Sequence, residues 1–394
     1  MRKHRSAALE VRRLLTAVLR DPALLHRLPE SELDLTLRIA RRARLLGYLC
    51  AYLERNGSLH ELSETVRDQL TSAQTLAEAH ARAALWELDR LALALSDEAL
   101  PRLIVLKGCA YALAELPNAA GRSFADLDLL LSRSDLHRAE SRLLANGWAF
   151  TKLAPYDQHY YRAWTHELPP LVHRERQVEV DLHHNILPLT ARLKPNAALL
   201  LKAARPIPGT RYLRLSDEDL VLHAMAHLCF DGDMSGSLRD LVDIDLLLRH
   251  FAKHEDEFWM RLVGRARTLD LARPAFYALR FAYRLLGTPV PDEVWCPSEA
   301  SGPSRLSRKR RPSPLIGRTM DALVVSALFP EHPDEPSRAP ALAKFCLYLR
   351  SHWIRMPPLL LARHLGYKLY VAHIKPRLSA LPLGGWRKAR SREA

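Results

Sequence analysis

Apolar residues in this chain follow a helical period over most of its length, and the exceptions are few and short. Leu33, Leu35, Leu37 and Ile39, then Leu45, Leu46 and Leu49, fit helix faces. Three runs break the pattern. Leu103-Ile104-Val105-Leu106 is apolar and partly β-branched, bounded by Pro101 and by Lys107-Gly108, and reads as a buried strand. Residues 126–131 (DLDLLL) read as a second strand, and Val178-Glu179-Val180-Asp181-Leu182-His183 alternates apolar with polar as a strand with one polar face does. So few strand-forming runs inside so much helical sequence predict an α+β fold, with a small mixed β-sheet core flanked by N-terminal and C-terminal helical regions.

Turn signals divide the chain further. Residues 1–99 read as a helical region with breaks at Asp21-Pro22 and Leu28-Pro29, where Ser31 is the expected N-cap of the next helix. Residues 100–190 read as the sheet-bearing core. A short helix is expected at 109–116, a loop at 117–121 and an amphipathic helix opened by Ser134-Asp135 and ended by Asn146-Gly147. A third strand is expected near 148–153, then two extended runs across 159–183 around a polar turn at 173–177. Residues 191–290 return to helix, most clearly at 217–230 and 238–250. The Pro, Gly, Ser and basic residues of 291–318 predict a flexible basic linker, and 319–394 a basic helical segment.

With 394 residues, 48% hydrophobic and 26% charged, the chain has the composition of a folded protein of two or three units. Its net charge of +14 makes anionic partners plausible and says nothing of chemistry. Five isolated cysteines (50, 109, 229, 296 and 346) fit a reducing, cytoplasmic setting. No signal peptide is visible, and the longest apolar stretch, 357–374, is broken by Arg363, His364 and Lys368, so a transmembrane segment is not expected.

The chemistry is concentrated in the strand runs. On a strand, Asp126 and Asp128 project from the same face while Leu127 and Leu129 bury on the other. Two carboxylates so placed can share a divalent cation, as phosphoryl and nucleotidyl transfer require. Lys107-Gly108, following a strand and opening a helix, offers free N–H groups to an anion. Asp181 would complete a three-acid cluster if its strand neighbours the first pair.

The stretches LKGCAYALAELPNAAGRSFADLDLLL, VEVDLHHNIL and LVLHAMAHLCFDGDMSGSLRDLVDIDLLL resemble the uncharacterised bacterial nucleotidyltransferase family of the polymerase-beta-like superfamily, over roughly residues 30–270. The resemblance implies that Asp126 and Asp128 hold Mg2+ or Mn2+, and that Asp181 acts with a second metal on an acceptor hydroxyl. Gly108 would let a nucleoside triphosphate approach the backbone, with Lys107 and Arg122 neutralising its charge. The helical region 191–290 would close the cleft, bringing Arg239 to base or phosphate. The implied reaction moves a nucleoside monophosphate from the triphosphate to a hydroxyl on a small molecule, sugar, peptide or protein, releasing pyrophosphate. Cys109 departs from the Gly or Ser usual after the glycine, and the gap from Gly108 to Asp126 is longer than in many members.

Other readings compete. A degenerate site would leave a scaffold that binds anionic partners through basic helices, and salt-sensitive oligonucleotide binding would mark a strand-extending enzyme. His183 either hydrogen-bonds Asp181 or a phosphate or simply packs, since Mg2+ prefers oxygen ligands. His223 and His227 have a zinc-compatible spacing but no evident third ligand, and read as core or cleft residues. Arg239 and Asp243, four apart, can pair on a helix surface. In the C-terminal segment, Arg350, Arg355, Arg363, Lys368 and Lys375 interleave with Trp353, Tyr367 and Tyr370, which suits a membrane surface, a nucleic acid, a partner protein or snorkelling along the parent domain.

Overall fold

The computed structural model describes residues 2–96, 103–123, 126–234, 236–255, 257–295 and 314–371. Four helices come first: α1 (Arg2–Arg20), α2 (Glu30–Arg42), α3 (Leu46–Arg55) and α4 (Glu64–Ala94). α2 begins after Pro29 rather than at a Ser31 cap, which puts Glu30 and Glu32 in its first turn, where negative charge complements the free N–H groups.

The core follows: β1 (Ile104–Val105), α5 (Lys107–Leu113), β2 (Asp126–Leu130), α6 (Leu136–Ala145), β3 (Trp148–Phe150), α7 (Pro155–Trp164), β4 (Leu171–His173) and β5 (Glu179–His183). After α8 (Ala197–Ala203) comes a hairpin of β6 (Arg205–Pro206) and β7 (Leu213–Arg214). The seven strands form one mixed sheet in the order β3-β4-β5-β2-β1-β7-β6, the α+β architecture expected from the sequence. β2 is the middle strand, parallel to β5 and antiparallel to β1. Leu127, Leu129 and Leu130 are fully buried, and so is nearly all of Asp128; Asp126 stays exposed.

Several local expectations are corrected. Most of the first extended run in 159–183 is helical: Pro155 occupies the first helical position of α7, and Tyr156, Tyr160 and Trp164 fall on one side of it. Tertiary packing of those rings overrides their strand preference, since Tyr156 and Tyr160 stack on His364 and Tyr156 also stacks on Tyr367. The third strand stops at Phe150, and the β6–β7 hairpin lies in sequence read as helical.

α9 (Asp217–Phe230) is buried almost all round, as its lack of a polar face requires. Three acids in its first turn each meet arginine: Asp217 meets Arg205 and Arg214, Glu218 meets Arg261, and Asp219 meets Arg265. Around it lie α10 (Ser237–His254), α11 (Phe258–Thr268) and α12 (Ala272–Phe281). Within the stretch read as a linker, α13 (Asp292–Trp295) and the start of α14 (Pro314–Leu328) are helical, and residues 296–313 lie outside the described residues. α15 (Arg338–Arg355) and α16 (Pro358–Leu369) complete the described chain. Buried apolar side chains form one continuous cluster from Val11 to Leu347.

Several contacts fasten the N-terminal helices to the rest of the fold, among them Tyr212, which donates to the Leu88 carbonyl at 2.6 Å. Glu87 of α4, 1% exposed, accepts from Arg176 in the β4–β5 turn at 2.7 Å, and the Arg176 guanidinium lies 4.9 Å from the Trp148 ring centre. Gly121 has φ +65° and sits so close to Gly47 of α3 that a Cβ there would overlap the Gly47 carbonyl. Gly121→Ala is therefore expected to cost about 3 kcal/mol through overpacking and backbone strain. Urea unfolding measures this, and an unchanged midpoint would refute the close approach.

Candidate active site

The site is built where β1, β2 and β5 lie side by side. The parallel register sets Asp128 opposite Asp181 and Leu130 opposite His183, so both acids and the histidine share a face. On the other side Leu106 donates its N–H to the Asp128 carbonyl at 3.0 Å, which carries the next residue, Lys107, past β2. Lys107 adopts φ +47°, a strained conformation for a side chain of its length. Its Nζ lies 3.0 Å from Asp128 Oδ1, and His183 Nε2 lies 2.8 Å from the same oxygen.

These contacts separate the two carboxyls electrostatically. Burial opposes ionisation of Asp128, but Lys107 and His183 outweigh it and hold the group well below the usual carboxylate range. Asp181 lacks such partners: burial first, then the charges of Asp128 and Glu167, push it up to about 8. Its Oδ1 is buried with no hydrogen-bond partner. One ligand atom from each of Asp128, Asp181 and His183 fits within a span of 4.8 Å, a group that could hold a metal ion. A second such group joins His183 to His166 and Glu167.

Two cavities flank this cluster and share Lys107, His227 and Asp231. The first, of about 250 Å3, is lined by Arg44, Gly108, Arg122, Asp126 and Arg239 among others, and so gathers four basic side chains with Lys107. Arg122 donates to Asp243 Oδ2 at 2.8 Å; Arg239, 5% exposed, lies 3.0 Å from Asp243 Oδ1 and donates to the Asn118 carbonyl at 2.7 Å. The pairing of Arg239 with Asp243 expected from their spacing is thus present, but in the interior and not on a solvated surface. Arg239 keeps its Nε and Nη1 without partners.

The second cavity, of about 280 Å3, is walled by Tyr160, Tyr161, Trp164 and Phe230 and carries His166, Glu167, His223 and Arg355. His223 is buried, and desolvation, with Lys107 and His183 nearby, lowers it to about 3, so it stays neutral. Arg355 of α15 donates to the Phe230 carbonyl, which brings the C-terminal helices to the edge of this cavity.

The structure therefore brings Asp128, Asp181, His183 and Lys107 into contact range, and sets Gly108, Arg122, Arg239 and Asp126 around the adjoining cavity. Asp126 does not join the compact group with Asp181. His183 bonds Asp128 and not Asp181: it lies diagonally across the strand pair from Asp128, two residues beyond Asp128's register partner on the same face. Arg44, His166 and Glu167 went unnoticed in the sequence. Arg44 lies in a helical stretch read as packing, and His166-Glu167 follows a helix read as strand.

No curated protein matches this chain. The sequence model of a family described as uncharacterised nucleotidyltransferase matches residues 29–287, well over half of the chain, and spans both the acid-bearing strands and the arginines of α10. The cluster at β2 and β5 lies wholly inside that span, and the chain belongs to this family of nucleotidyltransferases and is a transferase.

Proposed function

We propose that the protein transfers a nucleoside monophosphate from a nucleoside triphosphate to a hydroxyl-bearing acceptor with release of pyrophosphate, and that Asp126, Asp128 and Asp181 form its divalent-metal site. The observation that carries this reading is the in-register pairing of Asp128 with Asp181 on adjacent parallel strands, beside an arginine-lined cavity.

The donor set fits Mg2+ or Mn2+. Asp181 Oδ1 is buried and unpartnered, and Asp128, tied through Oδ1 to Lys107 and His183, keeps Oδ2 available. Asp126, exposed at the start of β2, would add a third carboxylate from the cavity side. A bound divalent ion would supply neutralisation of phosphate oxygens.

The remaining steps belong to the chain. Gly108 lets phosphate approach the backbone, and Lys107, Arg122 and Arg239 offset its charge, Arg239 with guanidinium nitrogens that have no other partner. An acceptor oxygen in the aromatic-walled cavity attacks the α-phosphorus, the bond to the β-phosphate oxygen breaks, and Asp181, ionised beside the cation, takes the hydroxyl proton. His183 fixes Asp128 by its hydrogen bond. The reading of the site as degenerate is disfavoured by the presence of all three acids.

Incubation of labelled triphosphates with candidate acceptors and Mg2+ tests the proposal. Asp128→Asn is expected to lower transfer roughly a hundredfold or more and to remove the Mg2+ dependence of triphosphate binding. Wild-type binding indifferent to Mg2+ would overturn it. Asp181 adds a test without substrate. Its folded-state value of about 8 lies above that of an unfolded aspartate, so the fold holds a proton the unfolded chain releases, and stability falls as pH rises from about 4 to 8. Asp181→Asn is expected to be more stable than wild type in chelator, by about 5 kcal/mol at pH 8 and by almost nothing near pH 4. Equal urea midpoints across that range would contradict it.

A further inference from the structure

Among the described residues, ten of the eighteen large apolar side chains that stand exposed fall within 342–371. On α15 they form a line: Leu342, Phe345, Leu349 and Trp353 are 62%, 56%, 48% and 48% exposed, at spacings that keep them on one side of a helix. The opposite side, Ala343, Leu347 and Ser351, is buried. α16 continues the feature with Leu359 at 87% and Leu369 at 59% exposure. Soluble monomers seldom expose so much apolar surface in so short a stretch.

The two helices that carry this face bear side-chain charge of one sign. From residue 336 to 392 the sequence contains twelve Lys and Arg and no Asp or Glu. Six of them, from Arg338 to Lys368, lie in the described helices; Arg350 and Arg355 turn inward to the Cys229 and Phe230 carbonyls, and Arg338 and Lys368 are exposed. A second copy docking face to face would set these charges against their like, and residues 372–392 carry six more of the same sign. An acidic, amphipathic surface matches both the charge and the apolar line. Tyr348, Trp353 and Tyr370, all partly exposed, have the apolar body and polar tip that suit a headgroup boundary. No helix among the described residues is long and apolar enough to cross a membrane.

We propose that α15 and α16 dock the protein on the surface of a bilayer containing anionic phospholipid, with the apolar line in the headgroup region and Arg338 and Lys368 against the phosphates. α15 ends at Arg355 and Met356, which line the aromatic-walled cavity, so the docked face and the site share a helix. The inference stands on this surface alone and does not depend on the nucleotidyl chemistry.

Flotation of the full chain with vesicles tests it. The protein is expected to bind phosphatidylcholine vesicles containing phosphatidylglycerol at least about tenfold better than phosphatidylcholine alone, and to lose that preference in high salt. Phe345→Glu with Leu349→Glu, at exposed positions, should lower binding at least about tenfold with an unchanged melting temperature. Arg338→Glu with Lys368→Glu should lower it comparably and only on anionic vesicles. The proposal is overturned by absence of binding to either vesicle, by equal binding to both, by variants that bind as wild type, or by a concentration-dependent dimer that the apolar variants abolish. That last result would assign the face to a second copy.

Discussion

The site depends on the parallel pairing of β2 with β5. That register places Asp128 directly beside Asp181, although 53 residues separate them in the chain, and it does so in the middle strand of the sheet, where water has little access. Two neighbouring buried carboxylates repel each other and resist ionisation unless cations intervene. Lys107 and His183 satisfy one of them and leave the other wanting a proton or a positive ion. Asp181 Oδ1 accordingly has no hydrogen-bond partner.

A second layer of the same logic holds the arginine-lined cavity. Arg122 and Arg239 come from segments on either side of the site and converge on one carboxylate, Asp243 of α10. Arg239 is further tied to the Asn118 carbonyl, so the helix bearing it is latched to the turn between α5 and β2. Arg122 also lies 4.0 Å from Asp240, and Asp126 and Asp231 line the same cavity, so its basic side chains face carboxylates of comparable number. Within this network Arg239 still keeps Nε and Nη1 without partners. On the far side of α9, by contrast, every first-turn acid is matched by its own arginine, as befits a structural ion pair.

Much of this was legible in the sequence, and the reasons for the failures are physical. The alternation at 126–131 and 178–183 announced strands whose polar faces carry the acids, because a period of two fixes which side chains share a face. Their adjacency was not announced: nothing local says that β5 and not β4 lies against β2. The helix α7 was misread because Tyr and Trp favour strands when judged singly, whereas here Tyr156 and Tyr160 are held by rings contributed from α16, more than 200 residues away. Arg44 and Glu167 were invisible as site residues for the same reason. Each sits in an ordinary local pattern and gains its role only from where the chain folds it.

A divalent cation shared by β2 and β5 would be read directly by diffraction. Crystals soaked in Mn2+ with a non-hydrolysable triphosphate analogue should show an anomalous peak within coordination distance of both the Asp128 and Asp181 carboxylates, about 2 Å from an oxygen of each. An ordered triphosphate in the arginine-lined cavity with no such peak, or a peak bound elsewhere, would contradict the account.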